Sequence, residues 1–103
     1  MFKLVVLYRK PEIPVAEFDA KYADHMQLIA RVPGLRKAEV GRFGEAPWGP
    51  PDYFQVAELY FDSKQALDAA MHSPEMGDAG RQLRSFAKGL STMYYADVQE
   101  FNF

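Results

Sequence analysis

The chain has 103 residues, of which 49% are apolar and 25% charged, a composition typical of one globular domain and too short for two. Its formal net charge of -2 offers no basic surface to nucleic acid, and the absence of cysteine excludes disulfides, thiolate nucleophiles and cysteine–zinc sites. No apolar run approaches the ~20 residues that a membrane helix requires. We therefore expect one cytoplasmic domain over residues 1–103, with neither nucleic acid nor membrane as a partner.

The first half of the chain predicts a strand, a helix and a second strand. Residues 2–9 are an apolar run without alternation, which indicates a strand buried on both faces. Pro14 suits the first turn of a helix, and Pro33-Gly34 ends that helix. Residues 35–43 carry four charged side chains, which favours the edge of a sheet. The predicted helix has one apolar face, formed by Phe18, Tyr22, His25, Ile29 and Val32.

The second half begins with a connection, residues 44–52, that contains three prolines and the only tryptophan, Trp48. Residues 53–61 give the strongest strand signal in the chain. Asp62 and Gln65 then have the spacing of a capping box, which predicts a helix directly after them.

The remaining residues predict another helix and a last strand. Ser73-Pro74 indicates a new helix start, with serine as the N-cap and proline in the first turn. His72, just before it, is expected to bind the terminal carbonyls of the preceding helix. Residues 92–101 predict the last strand, followed by a short tail. The charged face of the new helix is expected to be solvated and contains Arg81, Arg84 and Lys88.

With the two consecutive helices of the second half counted together, these elements follow the order strand, helix, strand, strand, helix, strand. That order is typical of an α+β, ferredoxin-like split βαβ fold with a four-stranded antiparallel sheet and helices on one face. The first, third and fourth strands are apolar on both faces, and the chain contains fifteen aromatic residues. Helices on one face leave the other face as a larger apolar patch than a monomer usually exposes. We therefore expect a homodimer formed through the sheet face.

Several short segments, in order and at these intervals, resemble one family. The chain is similar to the EthD family, named for ethyl tert-butyl ether degradation, within the dimeric α+β barrel superfamily. The resemblance implies two sheets packed face to face, helices outside, and a small-molecule pocket between helices and sheet. It departs from the family at Gln27, where members often have a proline two residues after a histidine. The segments that carry the resemblance are Leu7-Tyr8-Arg9-Lys10-Pro11, Phe18 with Tyr22 and His25, Pro33-Gly34-Leu35-Arg36, Ala57-Glu58-Leu59-Tyr60-Phe61-Asp62-Ser63, Ala66-Leu67 and Ser73-Pro74-Glu75.

His25 is the leading catalytic candidate. It lies on the apolar face of the first helix, three residues after Tyr22, so the two side chains share that face. The unperturbed pKa of histidine is nearest neutrality, which suits proton transfer. The alternative is a core histidine bonded to a backbone carbonyl.

Other residues are candidates for contact with a ligand. The phenols of Tyr8, Tyr60 and Tyr94 are expected to face the same cavity as Tyr22, with core or interface packing as the alternative. Glu58 lies within an apolar strand, where a carboxylate must be paired or face a polar cavity. We expect an ion pair with Arg9 or Arg42 as its alternative role. Trp48 is expected to cover the pocket or, alternatively, to pin its loop or contact the partner subunit.

Three functional hypotheses follow. The first is a homodimeric enzyme without a bound cofactor or metal, an oxidoreductase or lyase acting on a hydrophobic small molecule, with His25 as acid/base and Tyr22 assisting. Oxidation, decarboxylation and cyclisation are all compatible with it. The second is a non-catalytic carrier of a hydrophobic metabolite that serves a partner oxygenase. A haem-binding variant, with His25 as the proximal ligand, is a third.

Overall fold

The sheet of this protein is antiparallel throughout, with strands in the order β2-β3-β1-β4, and three helices pack on one of its faces. The computed structural model describes all residues, 1–103. It confirms the predicted α+β, ferredoxin-like architecture. The elements are β1 (Phe2–Tyr8), α1 (Val15–Ile29), β2 (Lys37–Arg42), β3 (Gln55–Phe61), α2 (Lys64–Met71), α3 (Pro74–Ala87) and β4 (Ser91–Asp97). No helix combines the length and the apolar composition needed to cross a bilayer.

Several predicted boundaries differ from the structure by one or more residues, and two of the differences have clear physical reasons. The last strand ends at Asp97 instead of residue 101. Asp97 pairs with Phe2, the first residue of β1, and beyond this pair only the amide of Val98 bonds to the carbonyl of Met1. The chain before β1 therefore offers no further partner to residues 99–101. The cap of α2 is Ser63, whose Oγ accepts from the backbone amide of Ala66 at 3.1 Å. Asp62, the expected cap, instead accepts two hydrogen bonds from Arg36 at 3.0 and 2.7 Å.

The predicted start of α3 is confirmed. Ser73 caps the helix by accepting from the amide of Met76 at 3.2 Å, and Pro74 stands in the first turn. The ring of His72 contacts the carbonyl of Asp68 at 2.8 Å, as expected for a histidine at a helix end. The break between α2 and α3 lets α3 turn back over the sheet beside α1.

The core lies between the helices and the centre of the sheet, and Phe18 is at its middle. Phe18 is fully buried, and its ring lies 5.6 Å from the rings of Tyr22, Phe54 and Phe86 and 6.3 Å from that of Tyr8. Aromatic pairs at these distances add to the free energy of burial. This cluster fixes the tyrosines that border the site described below.

The opposite face of the sheet has no helix on it. Val5 and Leu7 alternate with the buried Leu4 and Val6, so they point away from the helices. Their cross-strand neighbours on that face include Tyr94, whose side chain is 58% exposed. The strand β1 therefore has apolar side chains on both faces, as predicted, and only one face is covered within the chain.

Candidate active site

A cavity of about 300 Å³ lies between the sheet and the helices α1 and α3. The helix-facing sides of β1, β3 and β4 form one wall, and 13 of the 18 residues that line the cavity are hydrophobic. No aspartate or glutamate is among them. Such a space favours an apolar ligand of moderate size.

His25 reaches this cavity because it shares one face of α1 with Tyr22 and Phe18. Its side chain is 5% exposed, and Nδ1 lies 3.2 Å from Oε1 of Gln82 on α3. Gln82 donates from Nε2 to the backbone carbonyl of Lys21 at 3.2 Å. Because a carbonyl only accepts, the amide nitrogen must face Lys21 and the amide oxygen must face His25.

This arrangement determines the tautomer of the imidazole. Since Oε1 of Gln82 accepts, Nδ1 of His25 carries the proton, and Nε2 of the neutral ring keeps its lone pair. Burial lowers the pKa of His25 below its ordinary value of 6.5, and the hydrogen bond to Gln82 offsets part of this shift. His25 is therefore a neutral imidazole near neutral pH. The ring of His25 is thus both a buried part of the contact between α1 and α3 and part of the cavity lining.

Two tyrosines line the cavity beside His25. The ring centroids of Tyr22 and His25 are 5.3 Å apart, and the rings of Tyr22 and Tyr8 are nearly perpendicular at 5.5 Å. Burial raises the pKa of both phenols, and the neighbouring Tyr22 raises that of Tyr8 further. Both hydroxyl groups therefore stay protonated, and each can donate a hydrogen bond to an oxygen atom of a ligand.

A buried glutamine behind Tyr22 was not predicted as part of the site. Gln55 is 2% exposed, and its Oε1 accepts from Nε and Nη2 of Arg42 at 3.2 and 2.8 Å. Arg42 also pairs with Asp19 of α1 at 2.6 Å and lies over the ring of Phe54. The Nε2 of Gln55 is buried without a hydrogen-bond partner. The only sequence signal is an amide at the start of an apolar strand.

Replacing Arg42 by methionine is expected to lower the free energy of unfolding by about 2 kcal/mol. The substitution leaves Oε1 of the buried Gln55 without its donor, and an unsatisfied buried acceptor is costly. Arg36→Met is the matched control, because the Arg36–Asp62 pair is exposed on both sides and should contribute much less to stability. Urea unfolding compares the two variants, and equal losses would contradict this role for Arg42.

The EthD domain family matches residues 10–102, nearly the whole chain. The chain belongs to the EthD family. A protein of 11.0 kDa, uncharacterised and encoded in the thcB-thcC intergenic region of Rhodococcus erythropolis, is 32% identical over 100 residues, covering 96% of each chain. The crystal structure of an EthD family protein from Bacillus halodurans has a TM-score of 0.87 at 30% identity, over 96% of this chain and 99% of that one.

More distant structures share the fold alone. The cofactor-independent oxygenase SnoaB from Streptomyces nogalater has a TM-score of 0.72 at 20% identity, over 97% of this chain and 94% of that one. A hydroxynitrile lyase from Passiflora edulis has 0.73 at 17% identity, over 98% and 95%. A dimeric protein of unknown function with a ferredoxin-like fold, from Bacteroides fragilis, has 0.67 at 20% identity, over 94% and 95%.

In this EthD protein, Glu58 and Tyr60 lie on the other face of the sheet from the cavity, since they alternate with the core residues of β3. Glu58 pairs with Lys3 at 3.2 Å and with neither of the two arginines expected for it. The hydroxyl of Tyr60 donates to Glu39 at 2.8 Å and lies 3.2 Å from Glu58. The bond to Glu39, burial and the charges of both carboxylates raise the pKa of Tyr60.

Two further predicted ligand contacts also lie outside the cavity. Tyr94 is on the uncovered sheet face, and Trp48, in the loop after β2, is 95% exposed. A ring this exposed does not pin its own loop. Of the predicted site residues, the structure thus brings Tyr8, Tyr22 and His25 together, while Glu58, Tyr60, Tyr94 and Trp48 are elsewhere. We expected all four phenols to face one cavity, and for Tyr60 and Tyr94 this expectation is wrong. Side chains alternate between the two faces of a sheet, and these two tyrosines point to the face opposite the cavity.

Several residues that line the cavity are not among the predicted site residues. Arg81 and Arg84 are exposed, as predicted for the charged face of α3, yet both border the cavity. Four of the five methionines also line it, and their unbranched side chains adapt to ligands of different shape. No three histidine, aspartate or glutamate side chains converge in a way that could hold a metal ion. The four methionines are Met26, Met71, Met76 and Met93.

Proposed function

We propose that this EthD protein is an enzyme that moves a proton to or from an apolar carbonyl or phenolic compound bound in the cavity. His25 is the acid/base, Tyr22 is a hydrogen-bond donor to the substrate oxygen, and the protein itself needs no cofactor for this step. The supporting observation is a buried, neutral His25 whose tautomer is determined by Gln82 and whose ring lines an apolar cavity.

The step begins with a C–H bond beside a carbonyl group. Nε2 of His25 accepts the proton, the C–H electron pair moves into the carbonyl, and an enolate oxygen forms. The hydroxyl of Tyr22, held protonated by its raised pKa, donates a hydrogen bond to that oxygen. The apolar wall excludes water, which strengthens this bond and protects the enolate.

Several reactions share this first intermediate. An enolate or phenolate reacts with oxygen, condenses with an internal carbonyl, or forms when a carboxylate leaves as carbon dioxide. The oxygenase and the lyase among the distant structures are consistent with a fold that supports several such reactions. We therefore assign the proton transfer alone to this protein.

A non-catalytic carrier of hydrophobic metabolites is the second candidate. The adaptable methionines in the cavity wall favour it, because they suit a binding site that accepts ligands of different shape. In that case His25 contributes to the wall and to the α1–α3 contact, and no bond in the ligand breaks.

The two candidates are distinguished with 2-tetralone, an apolar ketone with an acidic C–H bond, in deuterated water. The enzyme proposal expects binding together with faster deuterium incorporation, followed by proton NMR, than buffer and free imidazole give. Binding without faster exchange would support the carrier. If 2-tetralone and other apolar ketones and phenols of similar size all fail to bind, both candidates are contradicted.

We also propose that the active form is a homodimer in which the uncovered sheet faces pack together. The support is the apolar face around Val5 and Leu7, and the dimeric ferredoxin-like protein that shares the fold. The polar group of Lys3, Glu58 and Tyr60 on the same face provides hydrogen-bonding partners at one side of the expected interface.

Replacing Val5 by lysine is expected to raise the dimer dissociation constant by about thirtyfold, because it places a charge in the middle of the apolar face. Val15→Lys is the matched control, since Val15 is exposed at the start of α1 and far from that face. Sedimentation velocity over a range of concentrations measures both. A wild-type chain that stays monomeric, or equal behaviour of the two variants, contradicts the interface.

A further inference from the structure

We propose that the ligand of this cavity carries a carboxylate, which the guanidinium of Arg84 binds at the edge of the cavity. The inference rests on the proposed function, because it concerns the same cavity, and it adds the charge of the substrate and the residue that selects it. A carboxylate-bearing aromatic or alicyclic compound is the class of substrate expected.

The charges around the cavity are of one sign. Arg81 and Arg84 both line it, no aspartate or glutamate does, and His25 is neutral near neutral pH. The chain as a whole has a net charge of -2, so this local excess of positive charge is not a consequence of composition. A cavity with only cationic side chains at its border favours anionic ligands and disfavours cationic ones.

The two arginines are not equivalent. Arg81 forms an ion pair with Asp78, one turn earlier on α3, and is neutralised by it. Arg84 forms no ion pair with any carboxylate of the chain and donates no hydrogen bond to a side chain. Its planar group, with parallel N–H donors, matches the two oxygens of a carboxylate.

Glycines on α3 make room for these guanidinium groups. A Cβ atom built on Gly80 would lie 3.3 Å from Nη1 of Arg84, and one on Gly77 would lie 3.6 Å from Nη1 of Arg81. Each arginine therefore folds back along the helix over a glycine four residues earlier, in the direction in which helical side chains point. Gly77 and Gly80 themselves line the cavity, so this position holds the guanidinium of Arg84 at its border.

The resulting site has three chemically different parts. Tyr8, Tyr22 and His25 offer hydrogen-bonding groups, the remaining wall is apolar, and Arg84 supplies a cation. A ligand that satisfies all three has an apolar body, one oxygen for the tyrosines and a carboxylate for Arg84. A neutral hydrocarbon would leave the arginine without a counter-charge, and an amine would be repelled by it.

Three probes of one shape test the charge preference: 2-naphthoate, 2-naphthylmethanol and 2-naphthylmethylamine. Isothermal titration calorimetry at low ionic strength is expected to give about fivefold tighter binding of the carboxylate than of the alcohol, with the amine weakest. The preference should shrink as salt is added, because Arg84 is exposed and its charge is screened.

Arg84→Met should remove the preference for the carboxylate over the alcohol. Arg31→Met is the charge-matched control, because Arg31 is exposed, forms no ion pair and does not line the cavity. Gly80→Ala, whose methyl group displaces the guanidinium, should reduce the preference without any change of charge. Circular dichroism confirms that each variant is folded before it is titrated.

The outcomes separate this inference from the proposed function. Equal affinity for the carboxylate and the alcohol, or a preference that survives in Arg84→Met, overturns the inference and leaves the cavity as a site for neutral ligands. If none of the three probes binds, the inference is overturned. Faster deuterium exchange in 2-tetralone would still support proton transfer by His25 in that case.

Discussion

His25→Gln is expected to slow deuterium exchange into bound 2-tetralone by about a thousandfold, the loss typical of removing a positioned general base. Glutamine retains a side chain of similar length that can hydrogen-bond to Gln82, so packing between α1 and α3 is largely kept. It has no basic nitrogen to accept the proton. The affinity for 2-tetralone should change little, which separates loss of chemistry from loss of binding.

The pH dependence provides a second signature of the same group. The base is the neutral imidazole, and burial lowers the pKa of His25 below 6.5. The wild-type exchange rate should therefore be level near neutral pH and fall as the pH drops through that lowered pKa. In His25→Gln this fall should be absent, since the group that titrates is gone.

His72→Gln is the control for this substitution. His72 is the only other histidine, is exposed at the end of α2 and lies outside the cavity. Its replacement should leave both the rate and the pH profile unchanged. An exchange rate in His25→Gln within threefold of the wild type would contradict the catalytic role and favour a carrier.

The sequence was sufficient for the fold because local and global signals agree. The apolar run of β1, the serine and proline that start α3 and the apolar face of α1 each depend on residues close together in the chain. The same periodicity placed Tyr22 and His25 on one face. Their common location in the cavity follows once α1 packs on the sheet.

The rest of the site depends on contacts between residues distant in sequence. Gln82 fixes the tautomer of His25 from 57 residues away, and Arg42 reaches Gln55 only because β2 and β3 pair in one register. Helical periodicity places Arg84 on the charged face of α3 and so predicts a solvated side chain. Its long side chain nevertheless folds back to the cavity, which the position of its backbone does not reveal.

Strand register also decides which tyrosines belong to the site. Tyr8 and Tyr60 both lie in central strands. Side chains alternate between the two faces of a sheet, and these two positions are out of phase by one residue, so the tyrosines point to opposite faces. From composition alone, the two tyrosines cannot be distinguished. The structure divides them into a ligand-facing group and a group on the face expected to meet a partner subunit.

Phe18→Ala is expected to have the largest effect on stability, a loss of about 4 kcal/mol in the free energy of unfolding. Phe18 is fully buried and contacts the rings of Tyr8, Tyr22, Phe54 and Phe86, so its removal opens a void that these rings cannot easily fill. Urea unfolding followed by circular dichroism measures the change, with the protein concentration kept constant between samples.

The same substitution should also weaken the site, although Phe18 does not line the cavity. Its ring stacks on Tyr22 at 15° between planes, and that contact holds the phenol beside His25. We expect weaker binding of 2-tetralone in Phe18→Ala and partial recovery in Phe18→Leu, which refills much of the volume. Phe103→Ala, at a fully exposed position, is the control and should change neither stability nor binding. A loss of stability below about 1 kcal/mol would mean that the aromatic cluster does not support the site as argued.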